Sequence, residues 1–271
     1  MSSSSTDRTF TSEISAFYER HLVPLIFEPY ATHLARRLAS RPVTRVLEVA
    51  AGTGVGTRAL ASLLPASASI VATDLNQAML DQAAAVGTSR PVEWRHADAQ
   101  QLPFADASFD AVVCQFGAMF FPDRAKAYAE ARRVLRDGGI YLLAVWDRIE
   151  DNEFADDVTN ALARIFPDDP PRFLARTPHG YHDAALIRSE LEGAGFSRVA
   201  VDTRAEQSRA PSPRLPAVAY CQGTLLRNEI EAREAGKLAA ATDYAESAIA
   251  ERHGSGAVAA RIQAHVIMAV A

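Results

Sequence analysis

The chain is poor in cysteine and lacks basic blocks and long apolar runs, and each shortage removes a class of function. Cys114 and Cys221 are its only thiols. Two cysteines supply neither a disulfide framework nor a metal-ligand array, so no metal site is expected and a reduced, cytoplasmic setting is the simplest reading. The formal net charge is -5 and no Lys/Arg-rich block occurs, which leaves no electrostatic footprint for nucleic acid. No stretch approaches the roughly 18–20 apolar residues that a membrane span needs. The first ten residues, MSSSSTDRTF, lack the basic region and apolar core of a signal peptide and read as a disordered tail. No internal repeat is present. What remains is ordinary: 271 residues, 48% hydrophobic and 23% charged, enough for one large domain or two small ones.

Residues 12–40 read as helix, interrupted at Pro24 and Pro29 and carrying Phe17, Tyr18, Phe27 and Tyr30 as aromatics to bury. After the reset at Arg41-Pro42-Val43, strand and helix patterns alternate. TRVLEVA, SIVATD, VEWRHAD, FDAVVCQF and IYLLAVW read as five strands. Helices fall between them: TRALASLL, then NQAMLDQAAAV with Asn76 as its cap, Met79, Ala83 and Val86 on one face and Gly87 to end it, then DRAKAYAEARRVLRD closed by Gly138-Gly139. Beyond Trp146 come the helix NEFADDVTNALARIF, a Pro-rich stretch, the helix HDAALIRSELEGAGF capped by Asp183, the strand RVAVDTRAEQS, a helical region from Ser212 to Arg252, and a last strand in RIQAHVIMAVA.

This order predicts an α/β fold: a Rossmann-like, doubly wound, mostly parallel seven-stranded sheet with helical lid inserts. The divisions are 1–40 (tail and cap helices), 41–147 (α/β core), 148–182 (first insert), 183–208 (core helix and strand), 209–258 (second insert) and 259–271 (final strand). The inserts either roof a ligand pocket or merely cover an exposed sheet face.

In an open parallel sheet the ligand sits beyond the carboxyl ends of the strands, where strand order reverses, which points to the first strand-to-helix turn. There Gly52 and Gly54 let backbone approach a ligand. Asp74 ends the second strand, where a carboxylate can accept from both ribose hydroxyls of NAD, FAD or an adenosyl ligand. Glu48 separates these. A dinucleotide would bring its pyrophosphate to the helix N-terminus, and a carboxylate at the loop entrance opposes it. An ammonium or sulfonium gains from the same carboxylate. The glycines agree, because Gly52-x-Gly54-x-Gly56 is not the dinucleotide fingerprint, which would need glycine in place of Thr57. The expected cofactor is S-adenosylmethionine, with S-adenosylhomocysteine as product.

Four stretches, VLEVAAGTGVGT, VATDLNQAML, WRHADAQQLPFADASFDAVVCQFGAMFF and EARRVLRDGGIYLLAVW, resemble in order the motifs of class I S-adenosylmethionine-dependent methyltransferases. The similarity spans residues 43–147 and is greatest to the small-molecule branch that includes the ubiquinone/menaquinone-biosynthesis enzymes. Ala50 departs from it, standing where the commonest motif has its first glycine. The resemblance implies that Glu48 and the backbone around Ala50 and Gly52 hold the methionine end. It places Leu75 and Met79 along the adenine, and Asp98 and Ala99 at its edge. Gln115, Phe116 and Gly117 border the methyl donor and acceptor, and Tyr18 closes over the methionine. A turn role for Asp98 and core roles for Met79 and Tyr18 remain alternatives.

Methyl transfer is an in-line displacement that needs alignment and dryness more than catalytic side chains. No catalytic base is nominated. His179 and His182 have a metal-like spacing without a third ligand and read as a surface loop; His96 lies in a strand; Tyr220 and Cys221 face either the pocket or the core. Cys114-Gln115 stands where amino-methylating nucleic-acid enzymes carry Asn/Asp-Pro-Pro-aromatic, no Pro-Cys pair is present, and arsenite methylation would need more cysteines. The expected partner is a small, partly apolar methyl acceptor. Quinone-type C-methylation, an NAD-dependent oxidoreductase and a non-catalytic S-adenosylmethionine-binding protein are the alternatives. A homodimer is compatible with the sequence but not indicated by it.

Overall fold

The computed structural model describes residues 11–271, so the Ser-rich start lies outside the described residues. Helix begins at α1 (Ser12–Phe17), capped by Thr11, whose Oγ1 accepts from the Ile14 amide at 3.3 Å. It runs on through Tyr18–Phe27 into α2 (Glu28–Ala39) without the interruptions expected at the prolines. The reason is a widening of the helix. Tyr18–Phe27 is π-helical, with the Glu28 amide donating to the Val23 carbonyl, and this wider turn accommodates Pro24. Pro29 sits in the first turn of α2, where no amide donor is required.

The core follows the alternation: β1 (Arg45–Val49), α3 (Val55–Leu63), β2 (Ser69–Asp74), α4 (Gln77–Val86), β3 (Glu93–His96), β4 (Phe109–Gln115), α5 (Arg124–Val134) and β5 (Leu135–Trp146). Then come α6 (Glu153–Ile165), α7 (Phe173–Arg176), α8 (Ala184–Gly193), β6 (Ser197–Ala210), α9 (Arg214–Gln222), α10 (Leu226–Arg233), α11 (Leu238–His253) and β7 (Val258–Val270). The sheet has seven strands in the order β3-β2-β1-β4-β5-β7-β6, parallel except for β7, which is antiparallel to both neighbours. Strands β1, β4 and the second half of β5 are buried over nearly every residue because helices cover both faces of the sheet. Strand order reverses between β1 and β4, so a crevice opens at their carboxyl ends.

Several local expectations are corrected. Helix α5 stops at Val134, and Gly138-Gly139 belong to an irregular start of β5. Register there jumps from Phe109↔Leu135 to Ala111↔Ile140, and Gly138 takes φ +74°. The chain end fixes this bulge, since Ala271 N donates to Gly139 O at 2.8 Å and Gly138 N to Ala271 O at 3.0 Å. Asn76 occupies the cap position of α4 without a side-chain capping bond, and Val86, in the last turn, is exposed. Asp183 does cap α8, accepting from the Ala185 and Leu186 amides, and Gly87 ends α4 at φ +79°.

The N-terminal helix, α7 and α9 contribute Tyr18, Phe173 and Tyr220 to the lining of the crevice. Arg227 of α10 pairs with Glu13 of α1 at 3.0 Å, and fully buried Tyr30 roots α2 by donating to the Arg204 carbonyl at 3.0 Å. Among the described residues no helix is long and apolar enough to cross a membrane.

Candidate active site

The turn after β1 is built from left-handed backbone: Ala50 at φ +53°, Gly52 at +56° and Gly54 at +85°. An alanine in that region carries about 1–2 kcal/mol of steric strain. The room for its methyl comes from the turn after β4, where a Cβ built on Gly117 would lie 2.4 Å from Ala50 Cβ. The glycine missing at position 50 is thus offset by one at 117. Phe116 also has positive φ, +55°, which lays its ring on Trp146 with centroids 3.8 Å apart and planes 8° from parallel.

Glu48 is buried, and Thr57 donates to its Oε2 at 2.5 Å. Burial pushes its carboxyl up to about 7, against the pull of Thr57 and the nearby Arg58 cation. A Cβ on Gly56 would collide with Glu48 Oε1, so glycine is required for that oxygen to sit here, and Gln115 Oε1 lies beside it, 3.4 Å from the same point. Gln115 is held by its amide nitrogen, which donates to Phe27 O at 3.1 Å, while its buried Oε1 has no partner. A carboxyl and an orphaned carbonyl oxygen converging on one place fit an ammonium, which offers three donors and no acceptor.

Asp74, at the end of β2, accepts from Gly52 N through Oδ2 and from Asn76 N through Oδ1, both at 2.8 Å. Desolvation raises its pKa against those amides and the nearby His96. Each oxygen keeps a lone pair for a ribose hydroxyl. Asp74→Asn is expected to weaken S-adenosylhomocysteine binding at least about 10-fold, the worth of one to two hydrogen bonds. Unchanged affinity by titration calorimetry would remove Asp74 from the ribose site.

Every site residue anticipated from sequence lines one cleft except Gly54. Gly54 lies behind the loop, where a Cβ would meet Trp94 Cη2 at 2.9 Å and Ala83 Cβ at 3.1 Å, so its work is packing. Tyr18 stacks on Phe27 at 5.0 Å and still faces the cleft; burial beside Asp74 and Glu19 raises its pKa. Met79 is buried yet lines the cleft, and Asp98 holds the Gln100 amide at 2.8 Å in a turn while also facing it.

His179 is the clearest correction. It is buried, not on a surface loop, and lies beside Trp146 with ring centroids 6.0 Å apart. His182 instead offers its carbonyl to His265 Nε2 at 3.0 Å, and no group able to hold a metal ion occurs among the described residues. His96 donates from an edge strand to Leu75 O at 2.8 Å. Tyr220 lines the cleft, whereas Cys221 and Cys114 are buried thiols pushed up to about 12 by desolvation. Sequence reasoning missed Thr57, Phe27, Asn152 and Phe173, none of which carries a local signal.

The two halves of the cleft differ chemically. Carboxylates at the ends of β1 and β2 and just beyond β3 (Glu48, Asp74, Asp98) line one half, while Phe27, Phe116, Trp146 and Phe173 wall the other.

A methyltransferase-domain family model matches residues 47–143. The chain is 30% identical over 171 residues to the ubiquinone/menaquinone biosynthesis C-methyltransferase UbiE of Teredinibacter turnerae, covering 58% of this chain and 69% of that one. It is 34% identical over 178 residues to the demethylmenaquinone methyltransferase of Mycolicibacterium vanbaalenii, covering 62% and 74%. In fold it resembles the Haemonchus contortus phosphoethanolamine N-methyltransferase 2 in complex with S-adenosyl-L-methionine, with TM-score 0.60 at 16% identity, over 96% of this chain and 57% of that one.

Proposed function

Because the chain belongs to the class I S-adenosylmethionine-dependent methyltransferases of the quinone-methyltransferase type, we propose that its acceptor is a small, flat, largely apolar molecule. The observation that carries this reading is the stacked Phe116–Trp146 pair, with Phe27 centroids 5.5 and 5.8 Å from the two rings, next to the Glu48–Gln115 corner. Bound S-adenosylmethionine supplies a methyl group already activated by a positive sulfur. The chain's residues hold and orient. Glu48 and Gln115 receive the amino-acid end, with Ala50, Gly52 and Gly117 shaping the turns around it. Asp74 takes the ribose, Leu75 and Met79 flank the base, and Asp98 and Ala99 meet its edge. Tyr18 and the cap helices exclude water, which strengthens every polar contact inside. The two buried thiols suit a reduced, cytoplasmic setting.

Methylation of a ring carbon in a quinone-type acceptor is the specific version that the aromatic walls favour, in line with the activities for which both relatives are named. A nicotinamide dinucleotide fits poorly, because its pyrophosphate would meet Glu48. Titration calorimetry should therefore detect S-adenosylmethionine and S-adenosylhomocysteine but not NAD. Binding of NAD alone would overturn the site assignment. Donor binding without turnover across a broad acceptor panel would turn the reading toward a binding protein.

A further inference from the structure

One titratable group on the acceptor side has no part in holding the donor. His179 lies in the loop after α7, fixed by its amide donating to Leu174 O at 3.0 Å. Its Nδ1 stands 2.8 Å from the Asp147 carbonyl oxygen. A carbonyl can only accept, so Nδ1 carries the hydrogen, and in the neutral ring Nε2 presents a lone pair. Burial pulls the imidazole down to about 4, which keeps the ring neutral at ordinary pH. Among the described residues Nε2 has no protein partner, and the ring borders the cleft against Trp146.

The carbonyl that sets this tautomer is itself held. Asp147 accepts from Gln263 Nε2 at 2.7 Å and from the Arg148 amide at 2.8 Å, and Asn152 donates to the same Asp147 carbonyl at 3.3 Å. A buried histidine oriented in this way commonly serves only packing. Here the ring lines a cleft that also holds Phe27, Phe116, Trp146 and Phe173, while the cleft's carboxylates are Glu48, Asp74 and Asp98. An amine acceptor would want one of those carboxylates. A hydroxyl wants a lone pair.

Resting on the reading of a quinone-type acceptor that carries a ring hydroxyl in its reduced form, we propose that His179 Nε2 receives that hydroxyl's proton during transfer. The hydroxyl's O–H bond breaks toward Nε2, and the electron pair left behind forms the new bond to the methyl carbon, at oxygen or at the ring carbon ortho to it. The methyl carbon's bond to sulfur breaks at the same time, its pair staying on sulfur as a neutral thioether. When carbon is the nucleophile, its ring proton leaves afterwards to water. The positive charge lost at sulfur reappears on the imidazole, so the cleft gains no net charge during the step.

The test uses the full chain, reduced 1,4-naphthoquinone (the hydroquinone) and 2-naphthylamine as probes, and His179→Gln, which keeps a donor for the Asp147 carbonyl. In the S-adenosylhomocysteine-loaded protein, ¹⁵N NMR should show His179 as the Nδ1–H tautomer, with Nε2 shifted by the hydroquinone and not by the amine. The variant should keep its S-adenosylmethionine affinity and KM but lose about 10²-fold in kcat, as expected for loss of a proton acceptor. More acidic nitro-substituted phenols should recover much of that loss, which a packing defect would not allow. The proposal is overturned if kcat is unchanged, if the loss is independent of phenol acidity, if the amine is the better acceptor, or if no aryl hydroxyl in the panel is methylated or shifts Nε2. Failure of the wild-type chain to bind S-adenosylmethionine would instead remove the methyltransferase reading on which the inference rests.

Discussion

Exchanging Glu48 for glutamine is expected to weaken S-adenosylmethionine binding by about 10- to 100-fold, the worth of one charge-assisted contact. The same change should stabilise the ligand-free protein at pH 8. The buried carboxyl titrates near 7 in the folded chain against 4.5 for the free group. Between those values the folded state holds a proton that the unfolded state has lost, so stability falls as pH rises from 4.5 to 7 and then levels. The loss is on the order of 3 kcal/mol. Glutamine escapes it, can still accept from Thr57, and brings a donor toward the orphaned Gln115 oxygen. The melting temperature should rise on the order of 5 °C at pH 8 and change little at pH 4.5. In the wild-type chain the cation should bind more tightly as pH rises toward 7, because the Glu48 proton must leave first. The gain should fade where the donor's own amino group deprotonates, ordinarily near pH 8. Calorimetry at pH 6 and 8 with thermal melts checks both arms. Unchanged affinity, or a less stable variant at pH 8, would contradict this account of Glu48.

Gly117→Ala should cost about 2–3 kcal/mol and abolish measurable donor binding, for a purely steric reason. Gly117 has φ -103° and ψ -34°, a conformation any residue adopts, so backbone strain plays no part. Its added methyl would lie 2.4 Å from Ala50 Cβ and 3.0 Å from Cys114 Sγ. Ala50→Gly alone should be nearly neutral, since relief of about 1–2 kcal/mol of left-handed strain is offset by about 0.5–1 kcal/mol of extra freedom in the unfolded chain. Combined, the two changes exchange one methyl for another across the same gap. Denaturant unfolding should show a favourable coupling of at least about 1 kcal/mol. Strict additivity would mean that the two turns do not share this space.

The parts of the fold that were legible in the sequence are those whose signal is local. The run from Arg45 to Trp146 repeats apolar strand, turn and helix, and the strands from β1 to β5 lie where that rhythm puts them. The limits of α5 and β5 differed because Arg136–Gly139 form a bulge pinned by Ala271, a partner 132 residues beyond Gly139 in the chain. The N-terminal prolines read as breaks because a π-helical turn has no sequence signature of its own. The place of Glu48 and Asp74 in the cleft was legible because they sit at strand ends that any parallel sheet turns toward its crevice, and their charge is what carries the proposed donor assignment. The acceptor half was not legible. Asn152, Phe173, His179 and Tyr220 come from the two inserts, and only tertiary packing brings them to the same space. Nothing in TPHGYHD distinguishes a buried His179 from an exposed one.

The positions of the two tryptophans have a practical consequence. Trp94 packs under Gly54 on the donor loop, and Trp146 floors the acceptor half against Phe116. With no other indole in the chain, Trp146 is the one intrinsic fluorophore that lines the cleft, while Trp94 lies behind the loop. Trp94→Phe leaves Trp146 as the single emitter, so the arrival of a molecule against the aromatic wall can be timed by stopped-flow optics without attaching a dye.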